Sequence, residues 1–327
     1  MQRRFFLGVA GSALVAGGAA LYSPAAEADY PERPITLLVA WAAGGGTDAL
    51  ARVFASILQE DLGQPVNVVN RTGGGGVVGH TAMMNAAPDG YTLGIASMEI
   101  TIYDAMGLAP ITPDSFTPIA RIAAIPGGVT VAADSSYQDA AGLLEAIRAE
   151  PEGTFQASGC SVGCAWHLAL AGWLQAEGLE PNRVTWVPSQ GGAPALQDVV
   201  AGGIDLTTAS IVESRALLEA GEVRALAVMN PERQEAFPDI PTLEEAVGTG
   251  WSMGTWFGLV GPAGLPDDIT QALIEATRKV HESEAFQEFA KERGYVAVWD
   301  EGEDFSSFMQ DFAVEKGALI EDLGIAQ

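Results

Sequence analysis

Three segments of the chain share one order: an apolar run, a loop of small residues and the start of a helix. They span residues 35–48, 154–167 and 184–194. This order is typical of an α/β fold, in which a loop joins each buried strand to a covering helix. The first turn of a helix has unpaired N–H groups and about half a positive charge, so such loops bind anions. None of the three contains Lys or Arg, which favours a small carboxylate held by backbone dipoles over a polyphosphate.

Strand-like and helix-like patterns alternate along most of the chain, and the alternation restarts once. Alternation of this kind predicts a mostly parallel sheet with right-handed crossovers. The restart predicts a second unit of the same kind. We therefore expect two α/β lobes, one made of residues 29–127 and 255–327 and the other of residues 128–254. The chain would cross between them near residues 126–129 and 254–257.

The first residues have the features of an export signal. Arg3 and Arg4 precede Phe and Leu and a glycine- and alanine-rich apolar stretch, which is typical of twin-arginine signals. Ala-Glu-Ala at 26–28 fits a cleavage site, so we predict removal of residues 1–28 and a mature protein in the periplasm. An uncleaved membrane anchor is the alternative. The shortness of the apolar stretch and the cleavage pattern argue against it.

The charge balance excludes one class of partner. The chain has 42 acidic and 16 basic residues and a formal net charge of −26. Nucleic-acid binding requires a basic surface, so we expect no nucleic acid as partner. An acidic surface favours solubility. Any anionic ligand would be bound by local dipoles against the overall field of the protein.

The two cysteines, Cys160 and Cys164, lie in the second small-residue loop. An exported protein can form disulfides, but this spacing allows one only if the loop brings the two Cβ atoms together. The sequence leaves that open. With His167 the pair also resembles part of a zinc site, yet no fourth Cys or His is close in sequence. We therefore predict no metal.

Two short motifs suggest chemistry that the rest of the sequence does not support. Residues 74–79 match the dinucleotide pattern G-x-G-x-x-G, but we find no acidic residue at a strand end about twenty positions later to bind a ribose. Residues 159–163 match the nucleophile elbow G-x-S-x-G around Ser161. A hydrolase would need a later histidine, and only His167, on the adjoining helix, and His281, in a charged helix, follow. We predict no enzyme and no cofactor.

The candidate ligand-binding residues lie in the three loops and at neighbouring strand ends. Trp41 ends the first strand, where it is either a core residue or a wall of the pocket. Asp48 follows the first glycine loop, and its simplest role is to cap the helix. The full set is Trp41, Ala43, Gly44, Gly45, Gly46, Thr47, Asp48, Ser97, Ser158, Gly159, Gly163, Cys164, His167, Gln190, Gly191, Gly192 and Ser210.

Several short fragments follow one another along the mature chain: Tyr-Pro-Glu-Arg-Pro-Ile at 30–35, Gly-Gly-Gly-Thr-Asp at 44–48, Asn-Arg-Thr and glycines at 70–76, Ala-Pro-Asp-Gly-Tyr-Thr at 87–92, Gly-Gly-Ala-Pro-Ala-Leu-Gln-Asp at 191–198, Gly-Gly-Ile-Asp at 202–205, Arg-Ala-Leu-Ala-Val at 224–228 and Pro-Asp-Ile-Pro-Thr at 238–242. In their order and spacing they resemble the extracytoplasmic solute receptors of the tripartite tricarboxylate transporter family, the Bug receptors.

The resemblance implies a periplasmic binding protein fold, type II-like, whose two lobes close on a ligand around a central cleft. It implies a monomer that binds a small carboxylate, such as a di- or tricarboxylate or an aromatic acid, and delivers it to two integral membrane permease subunits. The family pattern has Ser or Thr where this chain has Cys164, which indicates a subgroup with a different ligand.

Two other functions stay open at the level of sequence. The protein could present its ligand to a signalling kinase instead of a permease, as a periplasmic sensor subunit. It could also be a serine hydrolase that uses Ser161. The first alternative predicts the same binding cleft, whereas the second predicts ester turnover that depends on Ser161.

Overall fold

The computed structural model describes residues 30–325, so the predicted export signal lies outside the described residues. Six strands form the larger of two sheets: β1 (Ile35–Val39), β2 (Val66–Asn70), β3 (Thr92–Ser97), β4 (Phe116–Pro126), β10 (Gly254–Pro262) and β11 (Val296–Glu301). Their order is β11-β4-β10-β3-β1-β2. The smaller sheet has the order β7-β6-β8-β5-β9, with strands β5 (Gly128–Ala132), β6 (Gln156–Ser158), β7 (Thr185–Trp186), β8 (Leu206–Thr207) and β9 (Val223–Val228).

Ten α-helices among residues 30–325 cover the sheets. Five accompany the larger sheet and form with it the six-stranded half: α1 (Gly46–Leu62), α2 (Val77–Met84), α8 (Asp267–Glu282), α9 (Glu284–Arg293) and α10 (Gly302–Asp322). The other five belong to the five-stranded half: α3 (Ala140–Ala149), α4 (Ala165–Ala176), α5 (Gly192–Val200), α6 (Ile211–Glu219) and α7 (Leu243–Val247). Within the described part of the chain, no helix combines the length and apolarity needed to cross a bilayer.

Local sequence explains why the first strand–helix unit forms. β1 has branched apolar residues at every position except Thr36 and is buried almost throughout, as expected for a central strand covered on both faces. α1 places Leu50, Phe54 and Leu58 on one buried face at helical spacing. It ends at Gly63, whose φ of 64° gives the left-handed conformation that terminates many helices.

The α/β class is confirmed, but both sheets are mixed and not mostly parallel. β1 pairs in parallel with β2 and β3, whereas β10 is antiparallel to β3 and β4, and β11 is antiparallel to β4. Sequence analysis missed β4 and β11. The first contains prolines and many alanines, and the second is polar and partly exposed, so neither has the apolar pattern of a buried strand.

The chain passes between the two sheets twice, through Gly127 and again just before β10. The two passages are hydrogen-bonded to each other, because Gly127 N–H donates to Met253 O at 2.8 Å. Gly127 O in turn accepts the N–H of Met229, directly after β9, at 2.8 Å. Residues 35–126 and 254–301 supply the six-stranded sheet, and residues 128–228 supply the five-stranded sheet. The predicted lobe boundaries and their movement about these passages stay a prediction.

Candidate functional site

A small cavity of about 30 Å³ lies between the two halves. Loops that follow the strands supply most of its wall, as in other α/β folds that bind ligands at the carboxyl ends of strands. The lining residues are Trp41, Ala42, Gly45, Gly46, Thr47, Ser97, Glu99, Ile125, Cys160, Ala165, Trp166, Gly191, Gly192, Ala193, Glu213, Thr255 and Phe257.

Three helices begin at this cavity. α1 starts at Gly46 in the six-stranded half, and α4 and α5 start at Ala165 and Gly192 in the five-stranded half. Each brings to the same space the positive end of its dipole and the N–H groups that have no partner within the helix. The arrangement therefore favours groups that accept hydrogen bonds, as predicted from the three loops.

Seven of the predicted binding residues line the cavity: Trp41, Gly45, Gly46, Thr47, Ser97, Gly191 and Gly192. The other ten do not: Ala43, Gly44, Asp48, Ser158, Gly159, Gly163, Cys164, His167, Gln190 and Ser210. Trp41 is both core and wall, since it is 8 % exposed and its indole N–H donates to Ser97 Oγ at 3.0 Å.

Asp48 holds the first loop together but is not the N-cap of α1. That position belongs to Gly45. The Asp48 carboxylate accepts the Gly44 N–H at 2.9 Å and also bonds Arg52 and Asn70. Burial alone would raise the pKa of Asp48, but these bonds hold it below its ordinary value. A charged Asp48 therefore stabilises the loop without lining the cavity.

Two further off-cavity residues, Ser210 and Gln190, lie in the five-stranded half. Ser210 caps α6 by accepting the Val212 N–H at 3.3 Å. Gln190 links the halves through its backbone, because its carbonyl accepts the Ala42 N–H at 3.4 Å. Both act on the shape of the cavity without forming its wall.

The second loop is closed by a disulfide between Cys160 and Cys164, which settles the pairing that the sequence left open. Cys164 is the N-cap of α4. The bond removes the thiolates that a zinc site would need. His167 ties down the same loop, because its Nδ1 accepts the Gly163 N–H at 2.8 Å while its ring stacks on Trp186.

Removing this disulfide is expected to destabilise the protein. Closing a loop of about five residues restricts the unfolded chain by about 2 kcal/mol. We expect a Cys160→Ala/Cys164→Ala variant to lose about that much free energy of unfolding in urea titrations. Equal stability of the variant and the wild type would contradict the prediction.

The residues of the hydrolase motif do not form a catalytic triad. His167 already uses Nδ1 for Gly163, and burial lowers its pKa to about 4. In residues 30–325, the Ser161 hydroxyl has no hydrogen bond to a histidine, and only the Ser161 carbonyl is bonded, by the Trp186 indole and by the Cys164 N–H. Because Nδ1 accepts the Gly163 N–H, the neutral ring carries its proton on Nε2, and neither nitrogen is free to take the proton of Ser161.

Two carboxyl groups that sequence analysis missed face the cavity. Glu99 is 3 % exposed and sits just beyond β3. Its Oε2 accepts the Ser97 hydroxyl at 2.5 Å, and its Oε1 accepts the Ala165 N–H at 3.2 Å. Burial raises the pKa of Glu99.

Glu213 lies in the first turn of α6 and reaches across to the other half. Its Oε1 accepts the Gly46 N–H at 3.2 Å, whereas its buried Oε2 has no hydrogen-bond partner in the described residues. Burial, with a contribution from Glu99, raises the pKa of Glu213 to about 7. The carboxyl group therefore titrates near neutral pH.

Each missed glutamate had a sequence signal. Ser210 and Glu213 have capping-box spacing, which suggests a purely local role for Glu213; the structure sends its side chain to Gly46 instead. Glu99 stands twenty residues after Gly79, so the expectation of no acid at that strand end is wrong. Its buried bonds to Ser97 and Ala165 leave it no role as a ribose ligand.

No Lys, Arg or His is among the cavity-lining residues in the described part of the chain. Backbone N–H groups and the Thr47 hydroxyl are donors at this wall, whereas the Ser97 and Thr255 hydroxyls already donate to Glu99 Oε2 and to Trp256 O. A ligand carboxylate here would be bound by directed hydrogen bonds and not by an ion pair.

Comparison with known proteins finds matches over most of the chain. A family model described as "Tripartite tricarboxylate transporter family receptor" matches residues 50–325. A UPF0065 protein from the tcbD–tcbE intergenic region of Pseudomonas sp. strain P51 is 34 % identical over 75 % of this chain and 72 % of its own length. BugT of Bordetella pertussis is 29 % identical over 94 % of both chains.

Solved structures share the whole fold. A Rhodopseudomonas palustris protein solved with adipate has a TM-score of 0.84 and 30 % identity, covering 91 % of this chain and 99 % of its own. MatC of the same organism, with bound malate, has a TM-score of 0.80 and 25 % identity, covering 89 % of this chain and all of its own. Both similarities extend across the two sheets.

Proposed function

Because the chain belongs to the tripartite tricarboxylate transporter receptor family, that of the Bug receptors, we propose that it binds a small carboxylate between its two halves and delivers it to a membrane permease. Proteins of this family are periplasmic solute receptors and not enzymes. The ligand class and the permease are the proposed part.

The Glu213 carboxyl group carries this proposal. It lies at the start of α1, where it accepts the Gly46 N–H, and directly against the start of α5 at Gly192. The protein thus holds a carboxyl group of its own between two helix N-termini, the environment that we predict for the ligand. Malate and adipate in the two similar structures support the same ligand class.

Hydrogen bonds from both halves are needed for useful affinity. A charge-assisted N–H bond contributes about 1.5–3 kcal/mol. Micromolar affinity corresponds to about 8 kcal/mol. One loop is therefore too weak, and loops from both halves acting together are sufficient. This supports binding coupled to closure of the halves.

A panel of acids tests the proposal. We expect a dicarboxylate, with malate and adipate tested first, to raise the melting temperature, since a ligand at 100 times its Kd stabilises the native state by about 2.7 kcal/mol. Adipamide has the same skeleton without charge and serves as the matched control. Equal stabilisation by adipamide, or no stabilisation by any acid, would refute carboxylate recognition.

Delivery to a permease is distinguished from sensing by reconstitution. A transporter receptor stimulates uptake of the bound acid into vesicles that contain a permease of one large and one small subunit. A sensor subunit would instead change the activity of a kinase and leave uptake unaffected. We propose transport because the whole described fold matches receptors of a transporter family.

A further inference from the structure

Two hydrogen bonds in the cavity connect the halves, one in each direction. Glu213, on α6 of the five-stranded half, accepts the N–H of Gly46 at the start of α1. Glu99, in the six-stranded half, accepts the N–H of Ala165 at the start of α4. Each half thus supplies a carboxyl group to a helix N-terminus of the other, which stabilises the closed arrangement.

The two glutamates differ in how firmly they are held. Both oxygens of Glu99 have partners, and its side chain is almost completely buried. Glu213 has one bond, and its Oε2 has none within the described residues. An unpaired buried oxygen costs free energy. Moving the Glu213 carboxyl group out of the cavity therefore costs less free energy than moving that of Glu99.

The position of Glu213 leaves no room for a second carboxylate at the same N–H groups. A Cβ placed on Gly192 would lie 2.5 Å from Oε2 and 2.6 Å from Oε1, so the carboxyl group lies directly against the first residue of α5. A Cβ on Gly45 would lie 3.4 Å from Oε1. The Glu213 carboxyl group therefore fills the space between the starts of α1 and α5.

We propose that Glu213 is an internal competitor of the ligand: its carboxyl group occupies the ligand's carboxylate position in the closed unliganded protein and leaves it when the acid binds. The inference rests on the proposed function. It makes Glu213 a residue that sets affinity, because every acid has to displace it.

Displacement predicts the sign of the pH dependence. Burial raises the pKa of Glu213 to about 7 in the closed form, and an exposed glutamate has an ordinary pKa near 4.3. The closed unliganded form therefore holds a proton that is released when Glu213 leaves. Relative to the form in which Glu213 is displaced, the closed unliganded form is most stable at acidic pH and loses this stability as the pH rises through about 7. Acids therefore bind more tightly at higher pH.

The groups around Glu213 do not reverse this sign. Glu99 shares the cavity and also has a raised pKa. Tyr295 donates to Gly46 O, and burial raises its pKa so that the phenol stays neutral. Asp48, in the first turn of α1, is paired with Arg52. α5 starts with Gly192, which does not titrate.

Titrations with adipate between pH 6 and 8, where ordinary carboxylic acids are ionised, test the proposal. We expect wild-type affinity to rise about tenfold over this range, with proton release near pH 6. Glu213→Ala should bind adipate more tightly than the wild type at pH 6 and show no such pH dependence. Glu222→Ala, an exposed position beyond α6, is the matched control and should behave as the wild type.

Two outcomes would overturn the proposal. If affinity falls as the pH rises, Glu213 takes up a proton beside the bound acid and is not displaced. If Glu213→Ala binds more weakly than the wild type, Glu213 is a ligand contact and not a competitor. Each result is separate from failure of the proposed function, in which no acid binds to any variant.

A ligand-free measurement tests the same residue even if no acid binds. Small-angle scattering of the unliganded wild type should give a smaller radius of gyration at pH 6 than at pH 8, because protonation of Glu213 favours closure. Glu213→Ala should lose this difference, and Glu222→Ala should keep it. A wild-type radius that is the same at both pH values and equal to that of Glu213→Ala would refute the inference.

Discussion

Substituting Val for Gly191, or separately for Gly45, is expected to weaken acid binding at least about 100-fold, or about 2.7 kcal/mol. Both glycines line the cavity. Gly191 has a φ of 138°, which L residues rarely adopt. A side chain at Gly45 points between Ala42 O and Glu213 Oε1. Each variant would therefore cost about one to two charge-assisted N–H bonds to the ligand.

Calorimetric titration with the best acid of the panel measures this effect. Lys279→Ala is the control, because the exposed Lys279 side chain pairs with Asp61 on the surface and does not line the cavity. This variant should bind the acid as the wild type does. Circular dichroism confirms that each variant is folded. If both glycine variants bind normally, the ligand is held elsewhere and the site assignment is wrong.

Substituting Ala for Gly79 is expected to destabilise the protein by about 3 kcal/mol. Gly79 lies in α2 and is buried. A Cβ at this position would lie 2.6 Å from both Ala40 Cα and Arg71 O. These are backbone atoms of the residues that directly follow β1 and β2, so they cannot move aside as a side chain could.

Gly203→Ala provides the matched comparison. Gly203 is exposed, has no positive φ, and its nearest neighbour to a new Cβ is Asp198 O at 3.5 Å. We expect a change within about 0.5 kcal/mol. Chemical denaturation of both variants checks the pair, and equal stabilities would show that α2 does not need close approach to β1.

The Gly79 contact also explains the dinucleotide-like motif. In nucleotide-binding folds the third glycine of G-x-G-x-x-G allows close packing of the helix on the strand. Gly79 has that packing role here against Ala40. The first glycines have positive φ, and Gly76 lies beside Tyr103 and Trp41. In this chain the pattern therefore indicates a tight strand–helix turn and not a nucleotide-binding site.

Sequence alone determined the α/β class, the family, and the two glycine loops that reach the cavity. These features are local: apolar spacing defines β1 and α1, and glycine at Gly45, Gly46 and Gly191 opens the start of a helix to a ligand. Asp48 shows where local reasoning fails in detail, since it supports its loop from the third position of α1 and does not cap the helix.

The tertiary structure alone decided the roles of the two glutamates and the mixed character of the sheets. Glu99 meets Ala165 across 66 positions of sequence, and Glu213 meets Gly46 across 167. β4 gains its place only by pairing with β10 and β11. Such contacts depend on how distant segments pack, and no local spacing of residues encodes them, so an apparent helix-capping glutamate could become the carboxyl group at the centre of the cleft.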